Sequence, residues 1–193
     1  MRVFGIDPGS ERTGYGCIET DGRSHRLITC GAITALPADG LPQRLSRIYR
    51  ELSSLLHSSR PDCVAIEDLF HAVNARSALK LGHARGVAML AAVEAGCTVV
   101  EYTPAEVKRA VVGYGRAEKQ QVQMMVKLLL GLAAAPTPHD ASDALAVAIC
   151  HVHSEPQGGL KARLEEERRA PATAAGRARP PRSWRQYRPP ANG

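Results

Sequence analysis

The hydrophobic period of the chain changes in a fixed order, and that order limits the folds open to it. RVFGID, GYGCIET and HRLITCGAI are short apolar runs separated by Pro8-Gly9 and by Gly22, which predicts three antiparallel strands joined by turns. From Leu41 the apolar positions Leu45, Ile48, Tyr49, Leu52, Leu55 and Leu56 recur at helical spacing, opened by Pro42 and closed before Pro61. CVAIE at 63–67 is a continuous apolar strand with a carboxylate at its end, 74–95 has helical spacing, and CTVVEY is another strand. The order β-β-β-α-β-α-β predicts an α/β chain with a mixed sheet packed against helices. Helices are expected over 104–112, 118–130 and 140–153, with Gly113-Tyr114-Gly115 as a turn and Pro136 and Pro138 before the last.

A chain of 193 residues, 44% of them hydrophobic, buries one sizeable core and is hardly long enough for two. One domain over 1–154 is expected. The remainder, 155–193, is rich in Ala, Arg, Pro and Gly without apolar periodicity after Leu164, so it is expected to be a disordered basic tail. That tail holds Lys161 and eight arginines against four glutamates, +5 of the net +6, and leaves the globular part nearly neutral. A nucleic-acid partner is suggested by the total, but any affinity in 1–154 must come from a local basic patch. In the tail, Trp184 and Tyr187 are available for stacking on bases, against a plain solubilising role. No long apolar run follows the N-terminus, so the expectation is a cytoplasmic protein with no membrane span.

Cysteines 17, 30, 63, 97 and 150 are scattered singly, without a C-x-x-C pair, and read as small buried hydrophobes. His151 and His153 beside Cys150 lack a partner pair at ligand spacing and read as a helix end. In the helix from Asn74, Gly82 and Gly86 lie four apart beside Ala78 and Ala92, a smooth face. It suits either tight packing on the sheet or a helix pair across a dimer axis.

Four carboxylates stand at element ends. Asp7 follows a strand and precedes Pro-Gly, where an isolated Asp is ordinarily a turn or cap residue. Glu67 shares a strand face with Ala65 and Cys63, where a buried carboxylate costs several kcal/mol unless paired or bound to metal. Asp140 and Asp143 lie three apart at a helix start, which places them on one face and also resembles a capping box entered from Pro138. Phosphodiester hydrolysis needs the charge of an anion neutralised, and divalent ions held by three or four carboxylates are a general solution. An all-oxygen set of Asp and Glu suits Mg2+.

In five words the chain resembles the RuvC family of Holliday-junction resolvases over nearly all of 1–154. They are GIDPGSERTGYG at 5–16, AIEDLF at 65–70, NARSALKLGHARGVAML at 74–90, VVGYGRAEKQQV at 111–122 and HDASDALAVAI at 139–149. The resemblance implies an RNase H-like fold, a five-stranded mixed sheet flanked by α-helices, with Asp7, Glu67, Asp140 and Asp143 as catalytic metal ligands for two Mg2+ per subunit, Mn2+ being an alternative. It implies paired symmetric nicks in four-way junction DNA, made by a homodimer to which the branch-migration proteins RuvA and RuvB deliver the substrate. The ends would be 5′-phosphate and 3′-hydroxyl.

Carried over in the same way, Phe70 stacks at an unpaired base, Lys108 and Lys119 touch phosphates, and Arg76, Lys80 and Arg116 are further DNA contacts beside Arg85 and Arg109. Gly14, Tyr15 and Gly16 are read as strand and turn geometry. Two positions depart from the family pattern: His139 stands before Asp140 as an extra base or a neighbour of the ligands, and Val73 occupies a position that is often Lys. Two other functions compete. Asp-Pro-Gly-Ser followed by Thr-Gly-Tyr-Gly also resembles the first phosphate loop of actin-like phosphotransferases, although only one such loop is present. A junction-binding module without catalysis would use the carboxylates as caps.

Overall fold

A computed structural model of the chain describes residues 1–36, 38–68 and 74–154. The expectations for Phe70, Val73 and the tail from 155 lie outside these residues. The elements in chain order are β1 (Arg2–Asp7), β2 (Arg12–Thr20), β3 (His25–Thr34), α1 (Leu41–Ser59), β4 (Cys63–Glu67), α2 (Ala75–Glu94), β5 (Thr98–Tyr102), α3 (Pro104–Val112), α4 (Lys119–Leu129) and α5 (His139–Ser154). Each follows the predicted order, with bounds shifted by a residue or two, the scale on which helix ends are assigned.

The five strands form one sheet in the order β3-β2-β1-β4-β5, antiparallel through β3, β2 and β1 and parallel through β1, β4 and β5. Strand alternation gives the sheet two different faces. On one, Phe4 and Ile6 of β1 and Val64 and Ile66 of β4 meet Ile48, Leu52 and Leu56 of α1 and Ala84, Ala88, Ala91 and Ala92 of α2. On the other lies α5, covered on its far side by α3 and α4. Its residues from Ala141 to His151 are buried, except Asp143, as expected of a helix between two layers.

Glycines let α5 come down onto the strands. A Cβ on Gly5 would lie 2.0 Å from the carbonyl oxygen of Ala144, one on Gly14 2.0 Å from that of Asp140, and one on Gly16 2.6 Å from the Leu145 side chain. Gly5 is the cross-strand partner of Gly16, and Asp7 that of Gly14, so the bare positions form one patch. At Gly5 and Gly14 the contact is therefore backbone against backbone, and at Gly16 the strand backbone makes room for the Leu145 side chain.

The face of α2 carrying Gly82 and Gly86 does not pack on the sheet. Nothing stands within 4 Å of a Cβ placed on either, because the alanines at 84, 88, 91 and 92 take the inward face. Leu79 and Leu90 beside those glycines are exposed. None of the five cysteines forms a disulfide; 17, 63 and 150 are buried and 30 and 97 half-buried near the sheet edges. His151 is more than a helix end: it is fully buried, and its Nδ1 lies 2.8 Å from the Tyr102 hydroxyl, tying α5 to the end of β5. No helix among the described residues is long and apolar enough to cross a membrane.

Candidate active site

Asp7 and Glu67 end neighbouring parallel strands. The register pairs Gly5 with Ala65 and Ile6 with Ile66, so one more step brings the two carboxyls level, and alternation points both to the α5 side. The side chains hydrogen-bond to each other. Burial first, then the charges of Glu67 and Asp143, push the Asp7 carboxyl up to about 8; Asp140 adds to this. Burial raises Glu67 too, opposed by the bond from Asp7 and by the charges of Lys119 and Lys108. The two carboxyls share one proton, with Asp7 donating it.

The other two carboxylates enter from the first turn of α5. The glycine patch under Asp140 and Ala144 sets the height of that turn above β1 and β2. The helix starts at His139, so Asp140 lies inside its first turn rather than ahead of it. Asp140 Oδ2 lies 3.3 Å from Arg12 Nη1, and Asp143 Oδ2 lies 3.4 Å from Lys119 Nζ. Each of the two acids thus faces a cation supplied by another element. The field of Asp143 in turn raises Lys119.

The four acids thus divide into a proton-sharing inner pair and two outer acids drawn toward cations. Among the described residues no three His, Cys, Asp or Glu side chains stand together closely enough to hold a metal ion. The donor set nevertheless suits a hard divalent cation, being four carboxylates with no thiol or imidazole among them. The upward displacement of Asp7 and Glu67 is the electrostatic cost that such a cation would offset.

Around these acids, Lys108 is half-buried on α3, close enough for its charge to act on Glu67, and Lys119 opens α4 beside Asp143. Arg116 is exposed just before α4. Arg76 and Lys80 are exposed on the first turns of α2 and form no ion pair among the described residues, so the structure does not gather them with the acids. His139 is exposed and its Nδ1 hydrogen-bonds Gln123 of α4, so its ring engages α4 rather than the acids. Arg85 pairs with Asp68 at 3.0 Å and with Glu101, fixing the residue that follows Glu67. Arg12 and the placing role of Gly5 went unread in the sequence. Glycines at 14 and 16, two apart on a strand, were the available sign of a close backbone neighbour.

The family model described as Crossover junction endodeoxyribonuclease RuvC matches residues 3–151. A protein of that name from Koribacter versatilis (strain Ellin345) is 56% identical over 155 residues, which is 80% of this chain and 93% of the relative. One from Geobacter sp. (strain M21) is 53% identical over 160 residues, 83% of this chain and 97% of the relative. Among solved structures, Thermus thermophilus RuvC is similar with a TM-score of 0.74 at 36% identity, covering 86% of this chain and 97% of its own. The same protein in complex with Holliday junction substrate gives 0.73 at 36% identity, covering 79% and 94%. The yeast mitochondrial Holliday junction resolvase Ydc2, at 13% identity and a TM-score of 0.58 over 86% of this chain and 81% of its own, shares the fold alone. The expected RNase H-like arrangement, a five-stranded mixed sheet flanked by helices, is the one observed.

Proposed function

As the chain belongs to the family of the crossover junction endodeoxyribonuclease RuvC, we propose that it resolves four-way DNA junctions by metal-dependent phosphodiester hydrolysis at Asp7, Glu67, Asp140 and Asp143. One observation carries the assignment: the carboxyl of Asp7 feels all three other acids, although they come from three different elements. Stability alone gives no reason to gather four acids at one end of a sheet.

Asp7 and Glu67 form the floor of the site, and Asp140 and Asp143 form its wall. Divalent ions held there, two Mg2+ per subunit with Mn2+ as an alternative, would screen the phosphodiester anion and acidify the attacking water. The inner pair must release its shared proton to act as ligands, so binding of the cation is linked to proton release. Lys119 and Lys108 bring positive charge to the same end of the sheet and pair with phosphate oxygens of the bound strand. Arg116 lies beside Lys119 on the same approach. Water attacks phosphorus and the 3′ oxygen leaves, so the products are 5′-phosphate and 3′-hydroxyl ends.

Two symmetric strands need two sites, and the open face of α2 supplies a means of pairing. Leu79, Gly82, Gly86 and Leu90 line an apolar groove with Leu45 of α1, shaped for the same helix of a second copy. On this reading the protein is a homodimeric bacterial enzyme of the cytoplasm, supplied with junctions by RuvA and RuvB, and its nuclease unit is 1–154.

The experiment is the Asp7→Asn variant on a synthetic four-way junction. Nicking should vanish while junction binding persists. Nicking at the wild-type rate would refute the assigned site, and turnover of ATP by the wild-type protein would favour a phosphotransferase.

A further inference from the structure

Two histidines distant in sequence, and separate from the acidic site, meet where the β2–β3 hairpin approaches the end of α5. His25 opens β3 and His153 lies in the last turn of α5; their ring centres are 5.5 Å apart and their planes are inclined by 52°. His25 is half-buried and His153 is exposed.

One hydrogen bond defines the tautomer of the His153 ring. His153 Nδ1 lies 2.9 Å from the carbonyl oxygen of Ala110, which can only accept, so Nδ1 carries the proton. His25 Nδ1 lies 2.8 Å from Thr20 Oγ1. The single proton of that hydroxyl goes either to the carbonyl oxygen of Ser24, 3.1 Å away, or to His25 Nδ1. The Nε2 of His153 therefore bears a lone pair. An imidazole that donates Nδ1–H to a protein oxygen presents Nε2 as metal-binding histidines do.

The spacing agrees with this chemistry. Two imidazole nitrogens about 2.0–2.1 Å from one Zn2+ at a tetrahedral angle put the ring centres about 5 Å apart. Small side-chain rotations of the exposed His153 span the difference. No third His, Cys, Asp or Glu joins the two at ligating distance among the described residues, so water would complete the coordination.

We propose that His25 and His153 form a two-histidine site for a borderline divalent transition metal, Zn2+ or Ni2+, which clamps the β2–β3 hairpin to the end of α5. Imidazole nitrogen selects such ions over Mg2+, so the site is chemically distinct from the carboxylates. It does not depend on the nuclease reading and stands or falls separately.

Diethyl pyrocarbonate labelling of the full chain, read by peptide mass, tests the site directly. With Mg2+ in excess, added ZnCl2 should protect His25 and His153 together, whereas further Mg2+ should protect neither. In a zinc-indicator titration, His25→Ala and His153→Ala should each lose affinity by about tenfold or more, the scale on which even outer groups of metal sites act. His139→Ala should leave that affinity unchanged, and His25→Gln should behave as His25→Ala while the melting temperature without zinc stays at the wild-type value. Equal labelling of both rings with and without ZnCl2, or unchanged affinity in both alanine variants, would overturn the proposal.

Discussion

The Asp7 carboxyl hydrogen-bonds the Glu67 carboxylate across two adjacent parallel strands, so the centre of the site holds one proton between two acids. Asp7 is held at about 8 against an ordinary 3.8, mainly by burial, so the folded chain keeps a proton that the unfolded chain releases. The contribution of Asp7 to the stability of the metal-free protein should therefore be fully present below about pH 4 and be lost as pH rises from there to about 8. Thermal melts in metal-free buffer across that range check the sign; a melting temperature that rose toward pH 8 would contradict it.

Replacing Asp7 by Asn removes the like charge and keeps the shape. Without metal at pH 8, Asp7→Asn should be more stable than wild type by about 1 kcal/mol or more, roughly 3 °C in melting temperature for a domain of this size. Added Mg2+ should raise the wild-type melting temperature by more than that of the variant. Parallel melts of the two proteins with and without MgCl2 measure both effects.

Gly14 is a second route to inactivity. A methyl group there meets the Asp140 carbonyl at 2.0 Å, so Gly14→Ala should cost about 1–3 kcal/mol and displace the first turn of α5. Junction nicking should be lost although all four acids remain. Urea unfolding together with a nicking assay at a temperature where the variant is folded separates the two losses.

How much of this was legible in the sequence depended on the range of the interaction involved. Helix α3 could be bounded at Pro104 and Val112 because its signals are local: Thr103 and Glu106 form a reciprocal capping box, and Gly113 closes the helix at φ 96°. Asp140 and Asp143 also satisfied a local pattern, yet their partners are Arg12 and Lys119, supplied by β2 and α4. The Gly82 and Gly86 spacing marked a bare face without saying which way it turned; the neighbouring alanines decided that. Asp7 and Glu67 became a pair only through the β1–β4 register, which no window of either strand contains.

Lys119 should separate binding from stability. It is mostly exposed, so Lys119→Gln should change stability by no more than about 0.5 kcal/mol. Losing one phosphate contact should weaken junction binding and reduce the slope of log affinity against log salt by about one. Fluorescence anisotropy of a labelled junction over a salt series checks the slope, and an unchanged value would remove Lys119 from the DNA interface.

The open face of α2 gives a test of assembly. Leu79→Glu and Leu90→Glu place charge in the groove beside Gly82 and Gly86 and should yield a monomer by light scattering. Such a monomer should nick one strand without the paired symmetric cut. A dimer that survived both changes would move the interface elsewhere.

Gly5 and Gly14 also affect tolerance to change at the acidic centre. Since main chain rests on main chain there, the gap between the strand acids and the helix acids is a thickness of peptide, with no rotamer available to absorb a shift. Ordinary cores drift by exchanging one apolar side chain for another of similar volume. At these two positions the seam has no side-chain volume to exchange, so the variation open to the α1 and α2 side of the sheet is closed beneath Asp140 and Ala144.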